Sequence, residues 1–197
     1  CEGTKDGHSP HRRRDITHYK RNFMIAIIDY NAGNTGSVQN ALKRLGYECV
    51  VTCDVNEIVR ADKVILPGVG EARTAMNDLN NKGLVPVIKS LSQPVLGICL
   101  GLQLLCSYSS EGETDCIGVF DLIVKKFPKE HIVPHTGWNT LENTSGELFR
   151  SLESKRLDVY FVHSYYASTG PSTVATCNYI LPFSAALQQN NFYATQF

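Results

Sequence analysis

Cys99 stands between two glycines in the run Val95-Leu-Gly97-Ile-Cys99-Leu-Gly101-Leu-Gln103. A short apolar, strand-like run ends at the cysteine, and helix-forming residues begin directly after it. Glycine two places before and two places after permits a sharp strand-to-helix turn. In G-x-S-x-G enzymes that turn lifts the nucleophile out of the sheet; here sulfur replaces oxygen. A thiol so placed sits at a helix N-terminus, where the dipole favours the thiolate by about 0.3–1 kcal/mol. Backbone N–H groups just beyond it can meet a developing oxyanion. Nucleophilic attack is the chemistry this arrangement suits. The same residues also describe a buried structural cysteine beside two packing glycines.

A second segment, Leu66-Pro67-Gly68-Val69-Gly70-Glu71, puts two glycines just after a strand. Such backbone can aim N–H groups into a cavity. It reads either as an oxyanion strand opposite Cys99 or as a plain Pro-Gly turn. Other candidates have bland readings. His163 lies beside Tyr160, Phe161 and Tyr165 and reads as a satisfied core histidine; His135 reads as structural. Trp138 fills a core or covers a crevice, and Asn34 suits the N-cap of a following helix. Glu111, Glu113 and Asp115 read as a solvated loop.

These residues need elements to hold them. Short β-branched runs alternate with helical stretches from Met24 onward. Strands are expected over 24–29, 48–52, 63–66 and 95–98, and helices over 35–45, 72–81, 84–91 and 100–107, with a helical turn at 56–60. The second half changes to strands at 117–127, 158–167, 173–178 and 192–197. This order predicts one α/β domain, a three-layer, mostly parallel sheet flanked by helices, with extra strands in the second half. The ligand site belongs at the carboxyl ends of the strands.

Composition narrows the class. Of 197 residues, 43% are hydrophobic and 19% charged, which excludes a disordered chain. Nineteen basic and nineteen acidic side chains cancel, leaving no footprint for nucleic acid. The longest apolar stretch, 95–106, is too short and too interrupted for a membrane span of about twenty residues. Residues 1–23 carry six basic and three acidic side chains and almost nothing apolar. They read as a leader outside the fold, with Met24 as the natural start. Seven cysteines without a signal peptide suggest a reducing, cytoplasmic setting with free thiols. No pair has metal-ligand spacing.

Taken together, the motifs resemble the class I (triad) glutamine amidotransferases. More narrowly, they are similar to the glutaminase subunit of imidazole glycerol phosphate synthase, from histidine biosynthesis. The resemblance runs from Met24 to Phe197. It rests on Asp29-Tyr-Asn-Ala-Gly-Asn34, Pro67-Gly-Val-Gly70, Gly97-Ile-Cys-Leu-Gly-Leu-Gln103, Pro134-His-Thr-Gly-Trp-Asn139 and Tyr160-Phe-Val-His-Ser-Tyr165. Gly-x-Cys-x-Gly suggests only the superfamily, whereas Pro-Gly-Val-Gly with His-x-Gly-Trp-Asn is specific to this subunit.

The resemblance implies a flavodoxin-like fold and a set of roles. Cys99 attacks the glutamine side-chain amide, forms a γ-glutamyl thioester and releases ammonia. Gly68, Val69 and the backbone at Leu100 supply the oxyanion pocket, and Gln103, His163, Ser164 and Tyr165 hold the glutamine. Asn34 and Trp138 belong to the interface with a cyclase partner, built as a β/α barrel, that receives the ammonia in a heterodimer. No metal or organic cofactor is implied. The family pattern continues with His-Pro-Glu directly after Thr-Gln-Phe, and this sequence ends at Thr195-Gln-Phe197. The triad's base and acid, and a closing helix, are therefore expected beyond it, and the sequence reads as a fragment without turnover of its own. Two rival functions remain at this stage: the glutaminase of another synthase (anthranilate, guanylate or pyridoxal phosphate), or a non-catalytic redox protein with an elbow cysteine.

Overall fold

Short apolar runs that alternate with helical stretches build the first half as expected. The computed structural model describes residues 23–31, 33–152 and 156–197; the leader assigned to residues 1–23 lies, but for Phe23, outside them. Strand β1 (Met24–Ile28) is followed by helix α1 (Thr35–Arg44), β2 (Glu48–Thr52), α2 (Val55–Arg60) and β3 (Lys63–Gly68). Then come α3 (Ala72–Asn81), α4 (Leu84–Ser90), β4 (Val95–Cys99) and α5 (Leu100–Leu105). The remaining elements among the described residues are all strands: β5 (Cys106–Ser109), β6 (Thr114–Asp115), β7 (Phe120–Lys126), β8 (His135–Thr140), β9 (Asp158–His163), β10 (Tyr165–Ala167), β11 (Thr173–Tyr179), β12 (Leu181–Gln189) and β13 (Phe192–Thr195).

The main sheet runs β2-β1-β3-β4-β13-β12-β10-β7-β5-β6, with β11 added on β12. From β2 to β13 every pairing is parallel, and β12 then turns the sheet antiparallel. One face of the parallel half buries Ala26, Ile28, Val64, Leu66 and Val95 with Met76 and Leu79 of α3, Leu84 and Ile88 of α4 and Leu102 and Leu105 of α5. A second core, with Phe127, Phe161, Tyr166 and Phe183 at its centre, joins the β8–β9 hairpin to the antiparallel strands. No helix among the described residues is long and apolar enough to cross a membrane.

Three differences from the sequence expectation have local causes. The helix after Cys99 stops at Leu105, because Cys106–Ser109 leaves it to pair with β7 and β6. The single strand expected over 158–167 breaks at Ser164. There the Ser164 carbonyl accepts the Phe127 N–H, and the chain passes from the hairpin into the main sheet. Strands β8 and β12 fall outside the strands that the sequence predicts. HTGWNT is preceded by a proline and interrupted by a glycine, and LPFSAALQQ is rich in small residues, so neither shows an unbroken apolar run.

Candidate active site

Close packing builds the turn at Cys99. A Cβ on Gly101 would collide with the Leu66 carbonyl, so only glycine lets α5 start directly over β3. The turn costs strain: Cys99 has φ 55° and ψ −110°, a conformation worth of order 1–3 kcal/mol for a residue with a side chain. Its sulfur is the result. Half-buried, it opens on a cavity of about 510 Å³ at the carboxyl ends of β3 and β4.

Val69, Gly70, Cys99, Leu100, Gln103, Glu111, Pro134, Val162, His163, Ser164 and Tyr165 line that cavity. Of the residues singled out in the sequence, Val69, Cys99, Leu100, Gln103, His163, Ser164 and Tyr165 thus meet around one space. Gly68 does not reach the wall. It is buried in the β3–β4 ladder opposite Cys99, behind Val69. Asn34 and Trp138 also lie off the wall. Asn34 caps α1, its Oδ1 accepting the Ser37 N–H at 3.2 Å. Trp138 is neither core nor crevice cover: it is 73% exposed on the outer face of the hairpin, edge-on to Tyr160. A separate groove of about 530 Å³, lined by Ile25, Ile65 and Leu96 among others, has no cysteine in its wall.

The Cys99 thiol is not the favoured thiolate expected from the sequence. Burial pushes it up, and the Leu100 N–H and the Gln196 amide pull it back only in part. The helix behind it has six residues, and the dipole's contribution loses to desolvation. Gln103 is buried, and its Nε2 donates both to the Tyr165 carbonyl (3.1 Å) and to Gln196 Oε1 (3.0 Å). Gln103 therefore braces the wall from behind.

The two buried histidines form a chain. His163 Nδ1 lies 2.8 Å from the Tyr165 carbonyl, which can only accept, so that nitrogen carries the proton. Its Nε2 is left to accept from His135 Nδ1 at 3.1 Å. Both rings are held toward the neutral form. Burial brings His163 down to about 4, with the Tyr165 carbonyl opposing and His135 assisting, and burial lowers His135 as well.

Glu111 joins the site without a signal in the sequence. A loop carboxylate in a run of polar residues has no periodicity to mark it, yet this one turns inward. Its Oε2 accepts the Ala72 N–H that opens α3 at 2.9 Å, and burial raises its carboxyl above the ordinary range.

A parallel sheet with a strained cysteine at the carboxyl end of a central strand defines a nucleophile-elbow α/β protein. The glutamine amidotransferase class-I family model matches residues 26–197, and the chain belongs to that family. Within it, the chain is 54% identical over 176 residues to imidazole glycerol phosphate synthase subunit HisH of Bacteroides thetaiotaomicron, covering 88% of this chain and 89% of that protein. It is 45% identical over 174 residues to the HisH subunit of Pasteurella multocida, covering 88% of each. Among solved structures, a glutamine amidotransferase superposes with TM-score 0.66 at 18% identity over 88% of each chain. A glutamine amidotransferase of Thermotoga maritima does so with TM-score 0.61 at 18% identity, over 89% of this chain and 75% of that one. At those identities the likeness is one of fold.

Proposed function

We propose that this chain is the glutaminase subunit of an imidazole glycerol phosphate synthase, hydrolysing glutamine to glutamate and ammonia and passing the ammonia to a cyclase partner built as a β/α barrel. One observation carries the reading: a strained, half-buried cysteine faces a cavity that also holds a carboxylate, Glu111. Cys99 Sγ attacks the side-chain amide carbon. The tetrahedral intermediate expels ammonia and leaves a γ-glutamyl thioester, which water cleaves to glutamate and free thiol. The Glu111 carboxylate suits the substrate's α-ammonium group.

A thiol raised by burial needs a general base. His163 is unsuited, since both its nitrogens are engaged. Strand β13 runs parallel to β4 with Thr195 opposite Ile98, so chain continuing past Phe197 emerges beside Cys99. A His-Pro-Glu continuation would bring an imidazole there.

Oxyanion stabilisation falls to the backbone at Leu100 and Val69. Val64 N–H donates to the Pro94 carbonyl, and alternation by two residues turns the Gly68 carbonyl toward β4 and the Val69 N–H away from it. The Gly68–Val69 peptide must therefore turn before Val69 donates. One such donor is worth about 10²–10³ in rate, so this peptide can gate turnover when the partner docks. The outer face of the hairpin, with Trp138, Tyr160 and Val162 exposed and Val162 also on the cavity wall, suits that docking. A redox role fits less well, because sensor thiols are exposed and held low.

The test is ammonia release from glutamine by the partner complex carrying Cys99→Ala in a chain that continues with His-Pro-Glu. Turnover should vanish while the fold and partner binding persist. Retention of more than about a thousandth of the parent rate rules out Cys99 as the covalent group.

A further inference from the structure

The inference rests on the reading of Cys99 and the Gly68–Val69 peptide just given. Tyr30 follows β1 and is fully buried, and its O–H donates to the Pro67 carbonyl at 2.7 Å. The Pro67–Gly68 peptide is trans, so its C=O and N–H point in opposite directions. Holding the oxygen on the Tyr30 side therefore holds the Gly68 N–H toward β4. Burial keeps the phenol well above its ordinary range, with Cys99 and Asp78 adding to the effect, so the donor stays protonated.

Gly68 itself is clamped. A Cβ there would stand 2.7 Å from Leu100 Cβ, 2.8 Å from the Tyr30 hydroxyl and 2.9 Å from the Gly101 nitrogen. Freedom begins one step later. Val69 is 52% exposed, and Gly70, at φ 97°, has nothing within 4 Å of where its Cβ would be.

We propose that Tyr30 is a positioning residue: by holding the Pro67 carbonyl it fixes the Pro67–Gly68 peptide and confines reorientation to the Gly68–Val69 peptide. Without that anchor the two peptides turn together, and the Val69 N–H no longer arrives at a defined point beside Cys99.

Amide hydrogen exchange on residues 1–197 tests the anchor directly. In the unmodified chain the Gly68 amide should be among the slowest to exchange and the Val69 amide among the fastest. Tyr30→Phe keeps the ring and removes the hydroxyl. It should speed Gly68 exchange about tenfold and leave Ile27 and Val64 unchanged. A uniform acceleration of all three amides, no acceleration, or fast Gly68 exchange in the unmodified chain overturns the proposal. The kinetic arm uses the chain continued by His-Pro-Glu, in complex with its partner. There Tyr30→Phe should lower kcat for ammonia release about tenfold and hold KM for glutamine within about twofold. An unchanged kcat, or equal changes in both constants, overturns it. Cys99→Ala measured alongside separates the two readings. If Cys99→Ala still turns over, the site assignment fails whatever Tyr30 does. If it is dead while Tyr30→Phe is silent, only the anchor fails.

Discussion

Gln196 reaches across the end of the sheet to Cys99, its Nε2 lying 3.7 Å from the sulfur. The same side chain accepts from Gln103 through Oε1, so the nucleophile is tied to the helix behind it and to the neighbouring strand at once. The bond follows from register, since Thr195 pairs with Ile98 and the next residue falls level with Cys99.

That register yields the first prediction. A chain ending at Phe197 should release no measurable ammonia from glutamine, even with the partner present. The same chain extended by a tail beginning His-Pro-Glu should gain at least about 10²–10⁴ in rate, the usual contribution of a general base. Side-by-side ammonia assays decide. Equal turnover in both would mean that another histidine of this sequence is the base.

Glu111→Gln should act on binding. The amide can still accept the Ala72 N–H, so the loop should hold, but the charge facing the substrate's ammonium group is gone. Steady-state kinetics of the extended, partner-bound enzyme should show KM for glutamine rising about tenfold with kcat little changed, the mark of an interaction made equally in ground and transition states. A fall in kcat at constant KM would instead put Glu111 in the chemical step.

The buried imidazole pair predicts an acid limit. His163 binds its proton near pH 4 when folded and near its ordinary value of 6.5 when unfolded. Above that value both states are neutral and stability is independent of this group. As pH falls from 6.5 toward 4 the unfolded chain takes up the proton first, and stability drops by up to roughly 3 kcal/mol. Chemical denaturation at pH 7 and pH 4.5 measures the loss. His163→Phe should flatten that part of the profile. An unchanged slope in the variant would assign the acid sensitivity elsewhere.

Much of this site can be read from the chain. Gly97-Ile-Cys99-Leu-Gly101 marks the elbow because its glycines answer a local steric need, and local needs leave local spacing. Gly68, expected in the oxyanion pocket, lies in the β3–β4 ladder and off the cavity wall. Nothing in Pro-Gly-Val-Gly distinguishes a residue on a cavity wall from one behind it. Glu111, the Gln103–Gln196 bond and the His135–His163 pair arise from contacts between residues 28 to 93 positions apart, or from a loop turning inward. Such contacts have no period to find. Trp138 shows the converse: an indole, usually packed inside, stands exposed because strand alternation gives the hairpin's inner face to His135, Phe161 and His163.

Strand β13 lies between β4 and β12, although it comes after every other strand among the described residues. On a ribosome, β1 to β4 and their helices are synthesised first, and β5 to β12 follow as a largely antiparallel sheet. Within the main sheet the two groups have no direct ladder until residues 192–195 enter the gap. Filling it is a long-range event that must wait for residues 192–195 to leave the exit tunnel. Until then the edges of β4 and β12 are open to other chains. The residue beside the nucleophile arrives in the same step, so a nascent chain gains its active-site geometry only when the sheet closes.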